Sequence, residues 1–141
     1  MRTWATLGVT AVATAALLTA APAHANPQNP CADAPIRQAQ LVGKWLQGAG
    51  PQVSSLNADG TYTRELTSGS SEKGTWAYDP WSQSPAADHM PAAAKDTCVI
   101  WFNVNSHYSE NAPVYVPLKL TDSALEVSLV GRGNTLQWRR G

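Results

Sequence analysis

The chain has 141 residues, two cysteines, six tryptophans, and ten Lys and Arg against ten Asp and Glu. Its length gives one domain with a single hydrophobic core. The even charge balance argues against nucleic acid as a partner and against polybasic attachment to anionic lipid.

Residues 1–25 read as a cleavable signal peptide. Arg2 provides the positive start, and residues 5–21 are small and apolar, with Leu7, Val9, Val12, Leu17 and Leu18. Pro22-Ala23-His24-Ala25 then supplies an A-x-A cleavage pattern. The apolar run is short for a spanning helix, so a retained anchor is the weaker reading. A lipid-anchored start is also disfavoured, because Cys31 lies well beyond the A-x-A site. Cleavage before Asn26 removes one base and no acid, which leaves acids in excess by one. No later apolar run is long enough to span a bilayer. The expected location is secreted or periplasmic.

Residues 26–40 form a Pro-rich leader without strand alternation, with room for a short helix at residues 36–41. The leader holds Cys31. Its only potential partner is Cys98, at the head of an apolar run. In an exported chain an even cysteine count points to a bridge, and two buried thiols are the other reading. A bridge across so long a loop is worth about 4 kcal/mol on the chain-entropy model.

Strand-like segments follow, each bounded by turn residues. Residues 41–47 and 52–57 are the first two. Asp59-Gly60 marks a hairpin. In residues 61–66, Tyr62, Arg64 and Leu66 alternate with Thr61, Thr63 and Glu65. A polar turn at residues 67–72 leads to a fourth strand, 73–79, with Gly74, Trp76 and Tyr78 in phase. A long loop, residues 80–97, is rich in Pro, Ala and Ser and carries no strand or helix pattern. Residues 98–104 are too apolar to keep a wet face along their whole length. After a polar connector at 105–112, residues 114–121 set Val114, Val116, Leu118 and Leu120 against Tyr115, Pro117, Lys119 and Thr121. Pro117 cannot donate to a ladder and needs a bulge or a non-bonded position. Residues 125–130 point Leu125, Val127 and Leu129 inward. A hairpin at 131–134 leads to the last strand, 135–140.

The predicted fold is all-β: an eight-stranded antiparallel up-and-down barrel at residues 41–141. Closure is preferred to a sandwich because it removes both sheet edges. Eight strands enclose an interior that side chains fill or that holds one small ligand.

The order of signals resembles the small bacterial lipocalin-like domains of the calycin superfamily, over residues 41–140. The residues that carry the likeness are Gly43-Lys44-Trp45 on the first strand, Ala58-Asp59-Gly60-Thr61-Tyr62 at a hairpin, Gly74-Thr75-Trp76 on the fourth strand and Trp138-Arg139-Arg140 at the end. The resemblance implies that Trp45 packs across one barrel end and that Arg139 or Arg140 stacks on it, a cation–π contact worth about 0.5–2 kcal/mol. The chain is shorter than a typical lipocalin and lacks its C-terminal helix. Avidin-type barrels also open with G-x-W, but their polar ligand-binding cluster has no counterpart here.

The sequence shows no catalytic set, so the protein reads as a non-enzyme. His89 and His107 each fall in a predicted loop. No metal-ligand spacing, nucleophile elbow or phosphate-binding glycine loop is present, and no cofactor is expected. Glu65 and Glu72 flank a turn and read as solvated.

Two features are left to carry function. Tyr62, Trp76, Trp101 and Trp138 are aromatic candidates for lining a ligand cavity, although a chain this short also needs such rings to fill its interior. Trp81, His89 and Met90 in the long loop, and Tyr108 in the later connector, are exposed-looking candidates for contact with a partner. The leading expectation is an exported binding protein for a small apolar or amphipathic ligand, held at the barrel's open end near the long loop. The alternative is a protein-binding module, such as an inhibitor of a secreted hydrolase or an envelope assembly factor.

Overall fold

The computed structural model describes residues 29–48, 52–104 and 113–141. The expected signal peptide at residues 1–25, the connector at 105–112 and its Tyr108 lie outside these residues.

Eight antiparallel strands follow one another in chain order: β1 (Gly43–Gln47), β2 (Val53–Leu56), β3 (Thr61–Glu65), β4 (Ser71–Pro80), β5 (Cys98–Val104), β6 (Val114–Leu120), β7 (Ala124–Leu129) and β8 (Thr135–Arg140). Each pairs with its neighbour, and β1 pairs with β8 to close the barrel. The closing register places Trp45 opposite Arg140 and Gln47 opposite Trp138. The Asp59-Gly60 turn is stapled by Asp59, whose Oδ1 accepts from the Thr61 backbone N–H at 2.9 Å. β4 begins two residues before the predicted boundary, because Ser71 and Glu72 pair with Glu65 and Arg64 on β3.

The leader runs through a 3₁₀ turn, Pro30–Asp33, into a one-turn helix, α1 (Gln38–Leu41). The Asn29 side chain caps the 3₁₀ turn by accepting from Cys31 N. Cys31 and Cys98 form a disulfide that fastens this segment to the head of β5.

The alternation of each strand sorts its side chains to two sides of the wall. Inside the barrel, Trp45, Leu56, Tyr62, Trp76, Tyr78, Ile100, Phe102, Leu125, Val127 and Trp138 form one buried cluster, joined by Cys31 and Leu41 from the leader. A second cluster lies outside. Val99 and Val114 are buried there beneath Ala86 of the long loop, with Trp81, Trp101, Val116 and Val130 packed around them. The dry outer face of β5 thus has a physical reason: the loop covers it. The loop itself is not structureless as expected. It contains three short 3₁₀ turns, Trp81–Gln83, Ala87–His89 and Ala92–Ala94.

β6 departs from its simple apolar alternation. Val114 and Val116 face the outer cluster, while Tyr115 packs against the inner one. The pairing with β7 shifts register between Pro117 and Lys119. That bulge, at the proline that cannot donate, reverses the phase of the strand. Leu120 therefore joins the inner core, and Leu118 is left 50% exposed.

At Gly74 the backbones of β4 and β5 approach closely. A Cβ there would run into the backbone carbonyl oxygen of Asn103 on β5. Gly74→Ala must spread the β4–β5 ladder and is expected to cost about 1–3 kcal/mol, read from the midpoint of urea unfolding. An unchanged midpoint would show that the two strands separate without penalty.

Candidate functional site: the polar mouth of the barrel

The two ends of the barrel differ. At one end the leader and α1 form a plug. Trp45 is fully buried there, and its Nε1 donates to Leu41 O at 2.8 Å. The Arg140 guanidinium lies 3.9 Å from the centre of the Trp45 ring. It also donates to Val42 O and Gln40 O, both at 3.0 Å. This settles the choice between the two arginines, since Arg139 points to solvent. Gly43 leaves room for the stack: a Cβ at this residue would sit 2.7 Å from Arg140 Nη1. Tyr78 completes the plug by donating from its hydroxyl to Ile36 O at 2.8 Å. Trp76 belongs to this end too, with Nε1 bonded to Asn57 O.

At the opposite end, where β3 turns into β4, the interior becomes polar. Inward alternation brings Ser54, Tyr62, Arg64, Glu72 and Tyr115 together. Arg64 faces Ser54 across β2–β3 and Glu72 across β3–β4. Its Nη2 lies 2.7 Å from Glu72 Oε2, and the two side chains are 31% and 21% exposed. Glu72 is therefore not a solvated turn residue, because the early start of β4 turns it inward. Arg64 Nε is buried without a hydrogen-bond partner among the described residues. Ser54 is fully buried, with its Oγ 3.5 Å from the Tyr62 hydroxyl.

Aromatic rings make the floor beneath this group. Tyr62 and Phe102 lie 4.6 Å apart, and Trp138 sits 5.0 Å from Tyr115 and 6.3 Å from Phe102. Burial raises the Tyr62 phenol pKa, against the Ser54 contact and the Arg64 charge, which lower it. Burial also raises Tyr115, reinforced by Tyr62 and opposed by Arg64. At the plugged end, burial pushes Tyr78 up to about 12 from an ordinary 10.0. These phenols keep their protons in the folded chain after an unfolded chain has lost them. Their stabilisation is complete below pH 10 and falls as pH rises above it, for Tyr78 towards about 12. Urea unfolding followed between those pH values is expected to show falling stability, with a shallower fall in Tyr78→Phe. A flat profile would contradict the burial.

Of the aromatic ligand candidates, Tyr62 and Trp138 form the floor of the mouth, while Trp76 lies towards the plug. Trp101 is on the outer wall, where its Nε1 donates to Asp79 Oδ2 at 3.0 Å. Outward alternation from Phe102 puts it there. Trp81 is half-buried rather than exposed, with Nε1 bonded to Ala86 O. His89 is exposed and Met90 half-buried, both on a loop folded against the outer wall rather than over the mouth. Ser54, Arg64, Glu72 and Tyr115 were not among the predicted site residues. The signal for Arg64 was its place two residues from Tyr62 on one strand face.

A separate groove of about 410 Å3 runs beside the leader, lined by Ala34, Pro35, Ile36, Thr97, Pro117 and Leu118 among others. Among the described residues no cluster of three His, Cys, Asp or Glu is placed to hold a metal ion, and no helix is long and apolar enough to cross a membrane.

These features define the class: an eight-stranded, antiparallel, up-and-down barrel, plugged at one end by its own leader. In comparisons with protein-family models, curated proteins and solved structures, the chain matches none.

Proposed function

We propose that this is an exported, lipocalin-like binding protein that holds a small apolar or amphipathic molecule at the polar mouth of its barrel. The observation that supports it best is Arg64 Nε, a buried donor without a partner among the described residues, on the same strand face as Tyr62 of the aromatic floor. An unpaired buried donor costs free energy, which a ligand acceptor would recover. The rings supply apolar area for the rest of the molecule. The signal-like residues 1–25 and the Cys31–Cys98 bridge fit an oxidising compartment outside the cytoplasm.

Tryptophan fluorescence tests this reading, because Trp138 lies in the floor. Titration with eight-carbon alcohols, amides, acids and amines is expected to give a saturable change in emission for at least one probe, weakened by Tyr115→Ala. No change in emission and no thermal shift across the panel would overturn it.

The groove beside the leader favours a second reading, a protein-binding module such as a hydrolase inhibitor. Its support is Leu118, half-exposed on the groove's rim. Leu118→Glu separates the two: a mouth binder keeps its probe, and a module of this kind loses its partner.

A further inference from the structure

The charge of the mouth points to a particular class of head group. Among the described residues the only charged side chains on inward positions at this end are Arg64 and Glu72, one of each sign. Lys73, Glu65 and Arg132 are nearby in sequence or strand pairing, but each is exposed to solvent. The ion pair is mostly covered, with 31% and 21% of the two side chains open. An ionised ligand placed beside it would bring an uncompensated charge into a partly dry site, where the cost of desolvation is high. A neutral head group brings no such charge.

Hydrogen bonding narrows the class further. A guanidinium only donates and a carboxylate only accepts. Arg64 spends Nη2 on Glu72 and, among the described residues, leaves Nε without a partner. Glu72, on the neighbouring strand, keeps acceptor capacity beyond the one contact at Oε2. The two side chains thus offer a donor and an acceptor side by side. We infer that the mouth selects an uncharged head group carrying an acceptor next to a donor, as a primary amide does, over a carboxylate of the same chain length. This inference rests on the proposed mouth site and names its ligand class.

The experiment compares octanamide, octanoate and octylammonium by fluorescence titration near pH 7, with wild type, Glu72→Gln and Arg64→Gln. Wild type is expected to bind octanamide at least about tenfold more tightly than either ion. Glu72→Gln leaves the arginine charge unbalanced and should move octanoate ahead of octanamide. Arg64→Gln should move octylammonium ahead instead. Thermal melts show whether each variant is folded, and the wild-type ranking stands as a test even if one variant is not. Octanoate binding wild type best, or an unchanged ranking in folded Glu72→Gln, would overturn the inference while leaving the mouth site in place. Failure of all three probes to bind would overturn the mouth site itself.

Discussion

Reducing the Cys31–Cys98 bridge is expected to lower the stability of the fold by about 4 kcal/mol, the largest effect anticipated for any covalent change in this chain. The bridge spans a sequence separation of 67 residues, so opening it restores a large amount of loop freedom to the unfolded chain. The folded state has other holds on the leader. Asn29 Nδ2 donates to Tyr78 O at 3.2 Å, and Tyr78 donates in turn to Ile36 O. These are single hydrogen bonds worth roughly 1 kcal/mol each, too little to replace the covalent link. For a domain of this size the expected loss is a fall in melting temperature of roughly 15–30 °C, measured with and without reductant. The double variant Cys31→Ser, Cys98→Ser should match the reduced protein. A fall of only a few degrees would mean that the plug is held by its packing rather than by the tether.

Trp45→Ala is expected to cost about 3–5 kcal/mol, as large-to-small changes of a fully buried ring do. Three contacts are lost together. The indole fills the plugged end, its Nε1 satisfies Leu41 O, and its face carries the Arg140 guanidinium. Arg140→Ala should cost less, about 1–2 kcal/mol, because the ring remains and the carbonyls of Gln40 and Val42 can turn to water. Urea unfolding of both variants measures the ratio. Equal losses would show that the stack, and not the filled volume, sets the stability of this end.

Much of the fold was legible from local chemistry. Strand boundaries fell close to their observed places because turn residues such as Asp59-Gly60 and Gly131 are local signals. Pro117 announced the bulge, since its missing N–H is a property of the residue alone. What alternation could not give was which face of β5 and β6 is inside. Both faces of β5 are apolar, and the cover on the outer one, Ala86 and Trp81, comes from a loop distant in sequence from β6. Trp101 was misplaced to the interior for that reason. Glu72 read as solvated because its burial depends on a two-residue extension of β4, which is fixed by pairing with Arg64 rather than by propensity. Arg64 itself was visible on the Tyr62 face, but a charge inside a barrel gains its meaning only once closure is known.

In the proposed function a ligand sits on the polar group at the mouth, over its aromatic floor. Amide-resolved NMR during titration with octanamide tests this most directly. The largest shifts are expected on Ser54, Tyr62, Arg64, Glu72 and Tyr115, with the plugged end around Trp45 unmoved. Shifts gathered instead on Ala34, Thr97 and Leu118 beside the leader would contradict it.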